Sequence, residues 1–459
     1  MNTIRPHFGT DGIRGNAEKD LTDDFVFALG QAISTAIFDE ITKNKSDEIV
    51  EIIIGRDTRI SGARIEKHMS DGLIMGGARV TSVGILPTPA ISLNAEKQNV
   101  YACAITASHN PAEDNGIKVF MRGGTKTDEE FEAKIEHYLD IYLNSKTEVE
   151  VLHEFEVKDA TGFSFDTYIA WLSTLFSDLS LNDVTVALDC ANGASYDTAP
   201  TIFEQLGAKV LAINTENNGV NINNKCGATH LESLQNFVKK SNTIDLAFAF
   251  DGDADRIVVV DETGSVYDGD YLLALLASEM GFDQRIVVAT SMSNGGLKKY
   301  LSTINYDFLE TQVGDKNVAI GMAETGAKIG GEQSGHIIVT DYAPFGDGVL
   351  IALLISKIYA SKKIEDETIK LSEMLNLFTP MVQLHEKVVV SNKFSAELSP
   401  KIKQETNAHL ETLGEGSRIV IRPSGTEDIV RIMVEASEKE LVEKSMKDLI
   451  SVVEEACKE

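Results

Sequence analysis

Short apolar runs alternate with longer amphipathic stretches through most of the chain. The run at 49–55 (IVEIIIG) predicts a strand, and the stretch at 60–76 predicts the helix after it. Further strands are predicted at 80–85, 102–105, 184–189, 209–213, 246–250 and 285–289, with helices between them such as 198–206 and 231–240. Strand, helix, strand at this spacing argues for α/β layers on mainly parallel sheets. A new unit is expected near residue 155, after an acidic, aromatic stretch, and another near 257, where IVVVDETGSVYDGD begins. Residues 362–370 are charged and poor in aromatics, and beyond them RIVIRP and IVRIMVEA alternate as strands of a smaller α+β domain. Four units are therefore expected, at 1–155, 156–256, 257–370 and 371–459, where 459 residues at roughly 150 per domain would suggest about three.

Composition narrows the function. A chain that is 43% hydrophobic and 25% charged is ordinary for a globular protein. With 42 Lys and Arg against 71 Asp and Glu, the net charge of −29 repels nucleic acid and anionic membranes. Any bound phosphate must then be held by local cations or backbone amides. Cys103, Cys190, Cys226 and Cys457 are far apart and form no CxxC, against a zinc site or a disulfide framework. The first ten residues hold no apolar signal core, and no apolar run approaches the ~18 residues of a membrane span. A soluble, cytoplasmic enzyme is the expectation.

Four polar, Gly-rich segments interrupt the α/β pattern, each just after a predicted strand, where open α/β sheets place ligands. In 104–120 (AITASHNPAEDNGIKVF), Ser108 sits on a turn of small and polar residues. It is either a nucleophile or phosphoryl carrier, with His109 and Lys118 nearby to offset negative charge, or an ST-turn closing a loop. In 251–262 (DGDADRIVVVDE), Asp251, Asp253 and Asp255 alternate and can converge on one divalent cation. An EF-hand is discounted, because Arg256 stands where that loop needs Gly and a strand rather than a helix follows. An acidic turn without metal is the remaining alternative, but Arg256 beside the triad suits a phosphoryl group clamped next to a cation. In 330–336 (GGEQSGH), Glu332 and Ser334 are suited to vicinal sugar hydroxyls, or form a tight polar turn. In 422–428 (RPSGTED), Arg422, Ser424, Gly425 and Thr426, with Arg431 beyond, make a phosphate cradle or a solvated hairpin.

Taken together, these segments resemble the α-D-phosphohexomutases, and within that superfamily most closely the bacterial phosphoglucosamine mutases. The likeness runs the full length: FGTDGIRG (8–15), TASHNP (106–111), DGDADR (251–256), GGEQSGH (330–336) and RPSGTED (422–428). It extends to DCANGA, GVNINNKCGATH (219–230), VGDKNV (313–318) and FGDGVL. The resemblance implies four domains around a central cleft, three similar α/β units with mixed, mainly parallel sheets and a smaller C-terminal α+β domain. The last domain is the natural moving part over a substrate, and a hinge near 362–376 is expected. Ser108 would be the phosphoserine, and Asp251, Asp253 and Asp255 would hold Mg²⁺ with a phosphate oxygen on Ser108. Arg14, His109, Lys118 and Arg256 would line the reacting end, with His336, His109 or Lys118 as the acid/base. Glu332 and Ser334 would grip sugar hydroxyls, and Arg422, Ser424, Gly425, Thr426 and Arg431 the non-reacting phosphate.

The implied reaction interconverts glucosamine 6-phosphate and glucosamine 1-phosphate through a 1,6-bisphosphate that also serves as activator. Its product would feed UDP-N-acetylglucosamine and cell-wall synthesis. The partner is then a small sugar phosphate, not nucleic acid or membrane, and a homodimer is left open. Gln333 in GEQSG leans toward the amino sugar. Pro423 and Asp428 stand where that subfamily commonly has Lys and Pro, and Ala112-Glu113 replace a commonly aromatic pair, so phosphomannomutase or phosphoglucomutase activity is the alternative. A non-catalytic sugar-phosphate sensor would require loss of Ser108 or the triad. A metal-dependent phosphatase would need a second nucleophile motif that is not evident.

Overall fold

The computed structural model describes residues 6–9, 11–43, 49–144, 156–241, 243–393, 399–424 and 429–457. The chain forms two compact units: Met1–Ser291 with Asp307–Leu375, and Met292–Tyr306 with Asn376–Glu459. Three sheets belong to the first unit and one to the second.

The first sheet has seven strands, in spatial order Phe8–Gly9, Gly12–Asn16, Asp114–Phe120, Tyr101–Ile105, Glu51–Arg56, Arg79–Ile85 and Lys158–Asp159. The last four are mutually parallel and the first three antiparallel. One face is covered by the helix Asp23–Lys43, which packs on Gly62–Met75 and Glu129–Asn144 around Leu29, Ile33, Ile54, Met69 and Ile135. The first two of these helices touch backbone to backbone. A Cβ on Gly72 would lie 2.1 Å from the Phe27 carbonyl oxygen, so only glycine fits that crossing. Contrary to the expectation from the apolar runs, residues Asp23–Thr42 are long and apolar enough to cross a membrane, with mean hydropathy 1.2. Two thirds of that window (67%) is buried in the protein, so its apolar character is accounted for by the core of the first sheet.

The second sheet runs Val266–Tyr267, Ile257–Val260, Leu246–Phe250, Thr185–Asp189, Lys209–Ile213. Here the expected start of a unit at 257 is corrected. Ile257–Val260 pairs antiparallel with Leu246–Phe250, Phe250 facing Ile257, so a cut at 256 would split a hairpin. Likewise Lys158–Asp159 pairs with Thr81–Ser82 and completes the first sheet beyond residue 155. The third sheet runs Asp307–Thr311, Ile286–Thr290, Ile329–Gly331, Ile337–Val339, parallel except for the last. The apolar helix Gly348–Glu365 runs on to Glu365, so the charged segment at 362 begins as its last turn.

One device recurs in the three sheets. A parallel strand ends, a polar loop follows, and the chain returns as an antiparallel neighbour: Tyr101–Ile105 to Asp114–Phe120, Leu246–Phe250 to Ile257–Val260, Ile329–Gly331 to Ile337–Val339. The three chemistry-bearing loops are these three connections. The fourth differs. In the second unit Val382–Val389, Ile429–Ala436 and Arg418–Pro423 form an all-antiparallel sheet, backed by helices Pro400–Leu413 and Lys439–Ala456. This is the smaller α+β fold expected at the C-terminus.

Candidate active site

Ser108 takes a left-handed backbone conformation (φ +52°) and is fully buried. A non-glycine residue holds that conformation only where its surroundings fix it. The Ser108 amide donates to Thr106 Oγ1 at 2.9 Å, and its carbonyl accepts from Arg59 Nη2 at 3.0 Å and Asn223 Nδ2 at 2.8 Å. Arg59 is the brace. Its side chain is wholly buried, pairs with Asp57 at 2.9 Å, and also donates to the carbonyls of Asn110, Pro111 and Asp114. Only a guanidinium, with five N–H groups in a plane, can serve so many acceptors at once. Asp57 accepts in turn from Thr106 Oγ1 at 2.7 Å, which closes the loop.

The Ser108 hydroxyl donates to Asp251 Oδ2. Asp251, Asp253 and Asp255 turn one carboxylate oxygen each into a group whose members all lie within 4.8 Å of one another, and all three residues are buried. Lys118 Nζ bridges Asp253 (2.7 Å) and Asp255 (2.8 Å), and Thr88 Oγ1 donates to Asp253 at 2.6 Å. The backbone N–H of Arg256 reaches Asp251 Oδ1 at 3.2 Å. Asp253 Oδ1 and Asp255 Oδ1 are buried with no hydrogen-bond partner. Buried carboxylate oxygens left this way are costly. Three hard oxygen donors around one point are the ligand set that Mg²⁺ selects, so the residues fit that ion.

The charges shape one another. Burial pushes the Asp251 carboxyl well above the usual range, and the neighbouring Asp255 and Asp253 push it further. Burial acts the same way on Asp255, but Lys118, His336 and Arg256 outweigh it and hold that carboxyl well below the usual range. Burial would lower the Lys118 pKa, yet Asp253, Asp255 and Asp11 more than offset it and keep the ammonium charged. His109 goes the other way. Burial, then Arg256 and Arg14, lower its pKa to about 4, so its imidazole is neutral near pH 7.

The third loop is tied directly to the second. The Ile257 amide donates to the Gly335 carbonyl at 3.1 Å, and a Cβ on Gly335 (φ +92°) would lie 2.0 Å from the Ile257 carbonyl oxygen. Glu332 accepts from the Gly314 amide at 3.0 Å, while Ser334 is exposed at the loop tip. His336 is buried between two carboxylates, with Nδ1 3.7 Å from Asp255 and Nε2 3.5 Å from Asp315. Burial disfavours its cation, but Asp315 and Asp255 prevail and raise its pKa. Arg14 pairs with Asp11 at 3.0 Å, and Asp11 also meets Lys126 at 3.2 Å.

In the second unit, Lys387, Arg431 and Arg422 stand directly side by side across the three strands. They line one cavity together with His385. Like charges opposite one another destabilise a sheet, so this row costs stability unless an anion lies against it. Arg422 shows the cost: burial and then Arg431 lower its pKa. Ser424 closes the strand through its amide to the Ile429 carbonyl at 2.9 Å. Gly425 and Thr426 lie outside the described residues.

Four family models cover most of the chain in order. Phosphoglucomutase/phosphomannomutase alpha/beta/alpha domain I matches 5–144, domain II 166–264, domain III 268–381, and the C-terminal domain 386–452. The chain belongs to the phosphoglucomutase/phosphomannomutase family. Among curated members of this family it is 37% identical to phosphoglucosamine mutase of Clostridioides difficile, over 98% of this chain and 99% of that one. Its identity to phosphoglucosamine mutase of Acetivibrio thermocellus is 39%, over 98% of each. A solved family member from Burkholderia thailandensis superposes with a TM-score of 0.77 at 22% identity, covering 99% of this chain and 98% of that one. The N-acetylphosphoglucosamine mutase of Aspergillus fumigatus, solved with GlcNAc-6P and magnesium, gives 0.70 at 19%, covering 99% and 96%. At such identities these two structures speak to the family fold alone.

Of the residues singled out from sequence in the first unit, Ser108, Lys118, the three aspartates, Arg256 and His336 form one hydrogen-bonded or ion-paired cluster, with Arg14, His109 and Glu332 in electrostatic range. Sequence reasoning missed Arg59, Asp57, Thr88, Asn223, Asp315 and Lys387. The signal for the first two was RDTR at the end of Glu51–Arg56, a parallel strand beside the one that carries Ser108.

Proposed function

We propose that this enzyme is an isomerase, a phosphoglucosamine mutase that interconverts glucosamine 6-phosphate and glucosamine 1-phosphate through a phosphoserine at Ser108. The observation that carries the reading is the Ser108 hydroxyl on Asp251, inside a buried carboxylate triad with Lys118 across it. The full-length likeness to curated phosphoglucosamine mutases supports the choice of sugar.

The Ser108 phosphoryl group passes to the free hydroxyl of the bound sugar phosphate: the P–O bond to Ser108 breaks, one to the sugar oxygen forms, and the hydroxyl proton leaves to a base. The resulting 1,6-bisphosphate turns round and returns its other phosphate to Ser108. Asp251, Asp253 and Asp255 would hold Mg²⁺, which when bound supplies charge to the transferring phosphoryl oxygens. Lys118 and Arg256 neutralise the remainder. Neutral His109 is the proton acceptor by charge state, while His336, clamped by Asp255 and Asp315, orients the site. Glu332 and Ser334 grip hydroxyls, and Arg422 and Arg431, joined by Lys387, take the phosphate at rest. The enzyme works in the cytoplasm with glucosamine 1,6-bisphosphate as activator. The test is kcat/KM for glucosamine, glucose and mannose phosphates with Mg²⁺ and the matching bisphosphate. A preference of about tenfold or more for glucosamine phosphate, near 1.4 kcal/mol of transition-state binding, is expected. A flat or inverted preference would move the enzyme to general hexose phosphates.

A further inference from the structure

The sugar loop at 332–336 rests on the N-terminus of a neighbouring helix, Gly269–Glu279. The Gly269 amide donates to the Gln333 carbonyl at 3.0 Å, and a Cβ on Gly269 would lie 2.0 Å from the Glu332 carbonyl oxygen, so loop and helix end are in direct contact. The residue before that glycine is Asp268. Its side chain caps the helix, accepting from the Asp270 amide at 3.1 Å, and also hydrogen-bonds the Gln333 side chain. An ionised carboxylate only accepts, so Gln333 must use its amide NH₂ here. The amide is planar, and fixing its nitrogen on Asp268 fixes the opposite direction for its oxygen. The whole assembly is anchored to the metal loop two residues on, through Ile257 and Gly335.

We infer that Asp268 sets the preference for an amino sugar, by holding Gln333 so that its side-chain oxygen accepts from the C2 ammonium of the substrate. This rests on the reading of Glu332, Gln333 and Ser334 as the sugar-binding loop. A C2 ammonium donates and is positive. A C2 hydroxyl also donates but carries no charge, so it gains little from a carboxylate behind the acceptor. Asp268 is a positioning residue: it hydrogen-bonds Gln333 and acts on the sugar only through it.

The experiment measures kcat/KM for glucosamine 6-phosphate and glucose 6-phosphate in the full-length enzyme and in Asp268→Asn, Gln333→Met and the double variant. Asn keeps one oxygen to cap the helix, replaces the other carboxylate oxygen by an NH₂ donor and removes the charge. In Asp268→Asn the amino-sugar value is expected to fall about tenfold, with the glucose value and melting temperature unchanged. Adding Asp268→Asn to Gln333→Met should change the ratio no further. An unchanged ratio, an equal loss on both sugars, or independent additive losses would overturn the role of Asp268. A wild-type enzyme without amino-sugar preference would overturn the substrate reading and this inference with it, and that result is visible before any variant is made.

Discussion

Two regions of this molecule gather positive charge, and they treat it in opposite ways. Around Ser108, Lys118 lies between Asp253 and Asp255, whose charges outweigh the cost of burial and raise its pKa. In the small C-terminal sheet, Arg422 sits beside Arg431 and Lys387, and its pKa is lowered. In the first region the carboxylates hold the buried cation in its charged form. The second carries like-charge repulsion that nothing in its own strands offsets at Arg422, and that a bound anion would relieve. Such a division suits phosphoryl transfer, where reacting groups must be aligned in advance while the resting phosphate is captured and released.

Substitutions in either region separate the two behaviours. Ser108→Ala should lower mutase turnover by about 1000-fold or more, because the covalent carrier is gone. Full activity in that variant would remove the first region from the chemistry. Arg59→Ala should destabilise the fold by about 3–5 kcal/mol, read by denaturant unfolding, since Asp57 is left buried without its partner. A loss below ~1 kcal/mol would show that the Ser108 loop does not depend on that brace.

Arg422→Ala tests the other side. It should raise KM about tenfold to a hundredfold, the loss of one or two charge-assisted hydrogen bonds, with little loss of stability because Arg431 is relieved of a neighbour. A stability loss like that of Arg59→Ala would erase the contrast between the regions.

A pH dependence tests the first region in another way. His109 has a folded-state pKa near 4, below the ~6.5 of an unfolded chain, so the unfolded state binds more protons between those values. Stability should therefore fall as pH drops from about 6.5 to 4, by at most about 3 kcal/mol, and His109→Gln should flatten that limb. An unchanged slope in the variant would mean that His109 is not held neutral.

Much of this was legible in the sequence. The strands Lys209–Ile213 and Leu246–Phe250 have the ends that their apolar runs suggest, and each motif loop follows a strand. The start at 257 misled because IVVV is as apolar as a strand that opens a new unit, and periodicity does not say which neighbour a strand will pair with. Lys158–Asp159 is two polar residues long and leaves no pattern to read. The motif residues were legible because they cluster along the chain. Thr88, Asp315 and Asp268 act across loops that only the fold brings together, so even where a motif contains one of them, as VGDKNV contains Asp315, it does not name the partner.

Transfer through Ser108 is open to direct observation: the purified enzyme is incubated with Mg²⁺ and glucosamine 1,6-bisphosphate labelled in its phosphates, then mapped by peptide. One label per chain is expected, on the peptide holding Ser108, transferred back to either monophosphate on chase and absent in Ser108→Ala. Label on another residue, or turnover with Ser108 unlabelled throughout, would contradict it.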